Sequence, residues 1–448
     1  MDSPLRIGAE PRRDRERIPM SWLLNIVYFF FLLFLSPWLI YRALRTGRYR
    51  RGLSDKLLGL RGSSPNEAIW FHGVSVGEIH LLRQVIAAFR RRHPDLPCAV
   101  STTTETGYDE AKRCFPDLFV FFFPFDFSWS VRRALAALAP RLIVLAEAEL
   151  WPNFLMAARR QGIPVAVING RMSPRSLKRY LWVKPLARWL FGHIDLLLMQ
   201  TEHYARAVRI LGVEPRRVAV TGNIKFDGVL AERRNPRTRF LREALRVKDD
   251  DFIWIAGSTQ APEEEIAFDV WLKLHKEYPK LRLFLVPRHK ERFEEVAHLL
   301  ARSGVDFARR SHGAGSDLNK PVVLVDTIGE LGPLWGLADV AFVGGSLDGR
   351  RGGQNMIEPA AFGAAVIFGP YVWNFAETAR RLIDARAACQ IADATQLETA
   401  VRMLLEDGRE RHRLGDAARA FVVGQQGATE KTIARLTDSI ASRRFRAA

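Results

Sequence analysis

The chain is poor in cysteine: Cys98, Cys114 and Cys389 are odd in number and form no C-x-x-C pair. Neither a disulfide scaffold nor a zinc ribbon is supported, and a reducing compartment is expected. No G-K-[ST] loop and no G-x-G-x-x-G fingerprint appears, which excludes a Walker phosphate loop and an ordinary dinucleotide site. H-E-x-x-H is missing, and the only D-x-D, Asp249 to Asp251, precedes an apolar run instead of following one, so no metal is implied. RRM, KH and zinc-finger signatures are absent too, so nucleic acid is not an expected partner despite the charge. Short tandem repeats are lacking.

What is there is apolar and basic. Hydrophobic residues make up 48% and charged residues only 26%, enough to bury sizeable cores and to exclude disorder as the dominant state. A length of 448 residues leaves room for two large domains or three ordinary ones. Lys plus Arg is 67 against 49 for Asp plus Glu, a formal +18 that favours anionic partners such as phosphoryl ligands or acidic lipid.

The charge clusters at the start. Residues 1 to 61 hold 12 basic and 5 acidic side chains, and they flank Met20 to Tyr41, which carries no charge over 22 residues. A helix of that length spans a hydrocarbon core of ~30 Å. Arg42, Arg45, Arg48, Arg50 and Arg51 follow in place of a small-residue cleavage site, which predicts an uncleaved, single-pass transmembrane anchor. The larger downstream cluster places the soluble body on the cytoplasmic face.

From Ala68 the chain alternates between strand and helix. AIWFHGV, PCAVSTTT, FVFFFPFD, RLIVLAEA, PVAVING, LLLMQ and VAVTGN are β-rich runs, each followed by a helix-periodic stretch. After a polar, Arg-rich interruption the rhythm restarts with FIWIAGS, LRLFLVP, VVLVD, VAFVGG and AVIFGP. This predicts an α/β fold with two parallel-sheet domains. The expected layout is a basic tail over 1–19, the anchor over 20–41, and a basic juxtamembrane segment over 42–66. Domains over 67–235 and 236–420 follow, with a helix and basic tail over 421–448.

Ligands of open α/β sheets bind beyond the carboxyl ends of the strands, so candidate residues follow strands. Glu78 of HGVSVGE lies in the first turn after AIWFHGV. It either complements the helix dipole or serves as a general base toward an acceptor hydroxyl. Glu147 and Glu149 of AEAELWPN share a face at a strand end, where they would hold a sugar or a basic partner, or else decorate the next helix start. A basic and aromatic helix is expected around 175 to 191, containing Arg175, Lys178, Arg179, Trp182 and Trp189 and preceded by Arg171. It suits a phospholipid surface, or an amphipathic core helix with a solvated basic face.

In the second domain Ser258 and Thr259 follow one strand, and Arg288 and His289 follow another, where Arg288 can fork onto phosphate. The densest signal is AFVGGSLDGRRGGQNMIEPAAFG: Gly344, Gly345, Gly352 and Gly353 expose backbone N–H groups, and a helix expected near Asn355 offers its positive end to an anion. Glu358, one turn in, is placed to take a ribose hydroxyl.

The blocks HGVSVGE, STTTETGYDEA, EAELWPN, INGRMSPRS, VTGNIKFD, GSTQ, VPRHKERF, DTIGELGPLWGLADVAFVGGS and GGQNMIEPA occur in one order over some 300 residues. Together they resemble the Kdo transferases of lipopolysaccharide assembly. The resemblance implies a GT-B glycosyltransferase of two Rossmann-like domains facing a cleft, the first binding acceptor and the second binding the CMP-sugar. It implies transfer of 3-deoxy-D-manno-octulosonic acid (Kdo) from CMP-Kdo onto a lipid A precursor, lipid IVA, at the inner membrane. No cofactor and no metal is expected for a single displacement of this kind. Glu78 takes the place of the family's proposed base. Glu147, Glu149, Arg171, Arg175 and Lys178 fall to the acceptor. Lys225, Ser258, Thr259, Pro287, Arg288, His289, Gly344, Gly345, Ser346, Gly353, Gln354, Asn355 and Glu358 fall to the donor. The chain departs from the pattern at Gln260 and Gln354, where the family has histidine, at Pro262, where it has glycine, and at Ala148 in E-T-E-L-W-P. A related enzyme using another nucleotide sugar, or a catalytically silent binder of anionic lipid, remains the alternative.

Overall fold

The computed structural model describes residues 20–46, 51–60, 64–147, 150–229, 231–315 and 318–447. The basic tail over 1–19 and Glu149 therefore lie outside the described residues. The chain divides into two compact units, one formed by the residues through Ile224 together with those from Gly427 onward, the other by Lys225–Gln426. The sequence places the boundary at 235/236 and the final segment from 421. Contacts place the break just after the last strand of the first sheet, and the helix Ala428–Ala447 returns to the first unit.

The apolar run forms α1 (Met20–Thr46). Its Met20–Trp38 portion is long and apolar enough to cross a membrane. After α2 (Leu53–Leu58) the first sheet is laid down as β1 (Ile69–His72), β2 (Cys98–Thr102), β3 (Phe119–Phe122), β4 (Leu142–Ala146), β5 (Val165–Gly170), β6 (Leu196–Met199) and β7 (Val218–Val220). Its order is β3-β2-β1-β4-β5-β6-β7, with every pairing parallel. The helices that cover it include α3 (Val76–Arg92), α4 (Glu105–Cys114), α5 (Ser128–Leu138), α6 (Pro152–Arg160), α7 (Pro174–Trp182) and α8 (Lys184–Phe191).

Both faces of the sheet are buried, which is why the strands read as near-continuous apolar runs and not as alternation. Trp70, Phe121, Phe123 and Phe154 pack on one face; Phe71, Val100, Val144 and Leu198 pack on the other, against Leu82, Val85 and Phe89 of α3.

The second unit repeats the plan with β8 (Phe252–Thr259), β9 (Leu281–Pro287), β10 (Phe307–Arg309), β11 (Val322–Leu324), β12 (Val340–Val343), β13 (Ala365–Phe368) and β14 (Cys389–Gln390). Their order is β10-β11-β9-β8-β12-β13-β14, again parallel throughout. Strand order reverses at β1/β4 in the first unit and at β8/β12 in the second. At such switch points the adjoining helices diverge to opposite faces and leave a crevice at the carboxyl ends.

The expected basic helix around 175 to 191 is two helices. Val183 (φ −118°, ψ 38°) separates α7 from α8, and Pro185 opens α8. Proline has no N–H to give to the preceding turn and its ring clashes there, so an uninterrupted helix is disfavoured.

Candidate functional site

Beyond β1 the chain turns through Gly73 and Val74 into Ser75, the N-cap of α3. The Ser75 hydroxyl accepts the Glu78 N–H at 3.4 Å and donates to Glu78 Oε1 at 3.1 Å; the Val74 N–H donates to Glu78 Oε2 at 2.7 Å. This is a variant of the capping box in which the carboxylate takes the N–H of Val74, one residue before the N-cap, in place of that of Ser75. The Val74 carbonyl in turn accepts the hydroxyls of Thr102 and Thr104 at 3.1 and 2.9 Å. Gly107 lies against this knot, since a Cβ there would come within 2.5 Å of Thr102 Oγ1 and 3.0 Å of the Val74 oxygen. The two sequence readings of Glu78 thus share one geometry. Its carboxylate caps the helix, and capping locks it at the switch point.

Across that switch point Glu147 follows β4 with φ 56°, its N–H donating to the Ile168 carbonyl at 3.0 Å. Its side chain meets Arg171, which follows β5, at 3.3 Å between Oε2 and Nε. The structure therefore joins Glu147 to Arg171, while Arg175 and Lys178 are exposed on α7.

Two further residues stand at these strand ends. His72 is fully buried, with Nδ1 2.9 Å from Ser101 Oγ and Nε2 without a hydrogen-bond partner. Burial pushes its imidazole down to about 3, opposed by the Ser101 carbonyl, so it is neutral at ordinary pH. Asn169, next to last in β5, has φ 53°; its Oδ1 accepts the Ile224 N–H, and its buried Nδ2 lacks a partner.

In the second unit the centre of the site is a carboxylate. Glu263, at the start of the helix Glu263–His275, is 1% exposed and accepts four backbone N–H groups. Gly345 and Gln260 donate to Oε2 at 2.6 and 3.1 Å, Ser346 and Leu347 to Oε1 at 2.8 and 3.1 Å. Burial raises its pKa, and these bonds oppose the rise. The N–H of Gly345, expected to face a ligand anion, is therefore spent on an internal one, as is that of Ser346. The Gly344 N–H donates to Gly257, and Ser346 Oγ joins Val343 to Gly369. Glu263 closes the run Ser258–Glu263 that also holds Gln260 and Pro262, and that run was the signal that could have found it.

Around that loop the donor candidates gather. A Cβ on Gly345 (φ 67°) would lie 3.1 Å from Gln354 Nε2 and 3.4 Å from Gln260 Nε2, so these two glutamines flank the same backbone. Thr259 Oγ1 and Gln260 Oε1 are buried without partners. Ser258 adopts φ 55°. The Gly353 N–H donates to the Gly345 carbonyl at 2.7 Å.

Asn355 is tied to the same stretch. Its Nδ2 donates to Glu358 Oε1 at 2.9 Å, and its Oδ1 accepts the Ile357 N–H. The helix expected near Asn355 is Ile357–Ala361, five residues, too short to supply a strong dipole. Burial raises the Glu358 carboxyl, opposed by Asn355 and by the charge of Arg288. The Arg288 N–H donates to Thr259, so the end of β9, at Pro287, is tied to the end of β8, while His289 is exposed. Lys225 lies on the turn Ile224–Phe226 and follows β7, not a strand of the second sheet.

Away from both clusters, ligand atoms of His80, Glu110 and Cys114 lie within 4.8 Å of one another. Arg113 already takes both Glu110 oxygens, so a cation there would have to displace a guanidinium.

A family model described as 3-deoxy-D-manno-octulosonic-acid transferase (kdotransferase) matches residues 44–228. The 3-deoxy-D-manno-octulosonic acid transferase of Haemophilus influenzae is 34% identical over 399 residues, covering 87% of this chain and 92% of that protein. That of Bordetella pertussis is 37% identical over 392 residues, covering 85% and 89%. Among solved structures, UDP-GlcNAc 2-epimerase from Neisseria meningitidis aligns with a TM-score of 0.58 at 12% identity, covering 84% of this chain and all of that one. Anabaena HepE in complex with UDP aligns with a TM-score of 0.54 at 14% identity, covering 84% and all of that chain. At those identities the two structures speak for the fold alone.

Proposed function

Because the chain belongs to the 3-deoxy-D-manno-octulosonic acid transferase family, we propose that it transfers Kdo from CMP-Kdo to a lipid A precursor, lipid IVA, in lipopolysaccharide synthesis. The observation that carries the reading is identity above 30% sustained over most of both chains. The chemistry is a single displacement with inversion. Glu78 takes the proton of a glucosamine hydroxyl; that oxygen attacks the anomeric carbon of Kdo; the bond from that carbon to the phosphate oxygen breaks, and CMP departs with its electron pair.

The capping bonds that hold Glu78 fix its direction at no further cost on substrate arrival. Glu147 with Arg171 offers the acceptor sugar an acceptor and a donor side by side. Arg288 and Lys225 offset the charge that develops on the leaving phosphate, where a placed donor is worth ~3 kcal/mol. Asn355 and Glu358 take the nucleotide's polar edge, with the orphaned atoms of Thr259 and Gln260 as further partners. No step needs a metal, so activity is expected to survive EDTA.

The body works on the cytoplasmic face of the inner membrane. α7 and α8 carry Arg175, Lys178, Arg179 and Lys184 beside exposed Leu181, Trp182, Val183 and Leu186, a combination that suits an anionic lipid surface. Mass spectrometry of lipid IVA incubated with purified protein and CMP-Kdo tests the proposal. A gain in whole Kdo units, absent with Glu78→Gln, is expected. No gain with CMP-Kdo but a gain with another nucleotide sugar rejects the donor, and the glutamines at 260 and 354 are then the first positions to revert to histidine.

A further inference from the structure

The contacts of α1 bear on how it meets the membrane. The Asn25 side chain donates to Ser128 Oγ at 2.8 Å and accepts the Ser128 N–H at 3.0 Å and the Asn153 side-chain amide at 3.2 Å. One turn on, the Tyr28 hydroxyl donates to Asp126 Oδ2 at 3.0 Å, and its ring stands edge-on to Phe127. Asp126 itself is buried and accepts the N–H groups of Asn153 and Phe154 at the start of α6. The first third of the apolar helix is thus bonded to the soluble body.

Downstream the chain is back on the same part of the body almost at once. Arg51 pairs with Asp109 at 2.5 Å, a Cβ on Gly52 would run into the Phe122 ring, and the Lys56 carbonyl accepts from Phe125 N–H and Ser130 Oγ. From Tyr28 to Thr46 the helix rises ~27 Å at ~1.5 Å per residue. The six residues from Thr46 to Gly52 reach at most ~21 Å when fully extended. A helix standing upright from the Asp126 contact could not be rejoined to the body over that length.

Nor could the helix cross from the other side. With the body below residue 41, a full span of ~30 Å would pull Asp126, Ser128 and Asn153 into the hydrocarbon along with residues 25 and 28.

We propose that α1 does not cross the bilayer but lies inclined in one leaflet, clamped to the body by Asn25 and Tyr28, with acyl chains covering its outer face. The burial pattern agrees. Leu24, Asn25, Tyr28, Leu32, Leu35 and Ser36 recur at helical spacing as the less exposed stripe, while Trp22, Phe29, Phe30, Leu33, Phe34 and Trp38 are exposed. Arg42 stacks over Trp38 and Arg45 over Tyr41, a cation and aromatic pairing suited to the headgroup level. This topology replaces the single pass expected from the apolar run, and it rests on the membrane association proposed above.

The test fuses an epitope tag ahead of Met1 of the full chain and digests with an impermeant protease. The tag is expected to survive in intact spheroplasts and to be cleaved in inverted inner-membrane vesicles, with the protein resisting alkaline extraction. Cleavage of the tag in intact spheroplasts overturns the one-leaflet topology while leaving membrane association standing. Release of the protein by alkali removes both.

Discussion

The Glu263 carboxylate receives the backbone N–H of Gly345 at 2.6 Å, the shortest of four such bonds that draw the loop after β12 onto the end of β8. A buried anion inside the chain thus holds the glycine-rich loop in shape before any phosphate arrives. Removing it leaves several buried N–H groups without an acceptor, at ~1–3 kcal/mol each. Glu263→Ala is expected to weaken CMP binding at least tenfold with the secondary structure intact, and Glu263→Gln to fall between. Calorimetric titration with CMP reads this directly, and an unchanged affinity would remove Glu263 from the donor site.

Glu78 serves both as cap and as proposed base, and one substitution separates the two. Glutamine at this position of a capping box still accepts from backbone N–H, so Glu78→Gln should leave thermal stability within about 1 kcal/mol of wild type. Transfer should fall by at least a hundredfold with CMP affinity unchanged. Near-normal turnover in Glu78→Gln would reduce the residue to its capping role.

His72 predicts an acid dependence of stability. Its folded-state pKa is lowered to about 3 by burial. Below the unfolded value near 6.5 only the unfolded chain takes up the proton, so its contribution is complete above that pH. It is then lost by up to about 1.4 kcal/mol per pH unit until the folded form also protonates near pH 3. Urea unfolding at pH 7 and pH 5 should show a smaller difference in His72→Gln than in wild type. Equal differences would mean that His72 is not the group titrating.

The basic and apolar surface of α7 should matter only on a bilayer. Replacing Arg175, Lys178 and Arg179 with glutamine removes three cations, each worth ~1 kcal/mol near an anionic surface. KM for acceptor in phosphatidylglycerol vesicles is expected to rise tenfold or more, with little change for acceptor in neutral detergent. A parallel rise in detergent would move these residues from lipid docking to direct acceptor contact.

All twelve runs read as strands are strands, because a parallel sheet covered on both faces writes itself as short β-branched and aromatic segments between helix-periodic ones. The two that were missed, β10 and β14, are edge strands whose sequences, FAR and CQ, hold no run of β-branched residues to mark them. The break at Val183 was hidden because Pro185 sits at an inner position of an otherwise continuous amphipathic pattern, where proline can either kink a helix or open a new one.

Local chemistry determined much of this protein in advance. The strand and helix alternation, the apolar first helix, and the motif positions at strand ends all follow from residue order, since periodicity and turn chemistry act over a few residues. Partnerships between distant residues do not. That Glu263 occupies the amides of Gly345 and Ser346, that Glu147 meets Arg171, and that Asn25 and Tyr28 bind back onto Ser128 and Asp126 depend on which strand ends and helices the sheet order makes neighbours. The apolar run reads as a membrane crossing on hydropathy, and its length and composition are enough for one. Its proposed place in one leaflet comes from bonds reaching about a hundred residues along the chain, and only the folded body brings those groups within reach.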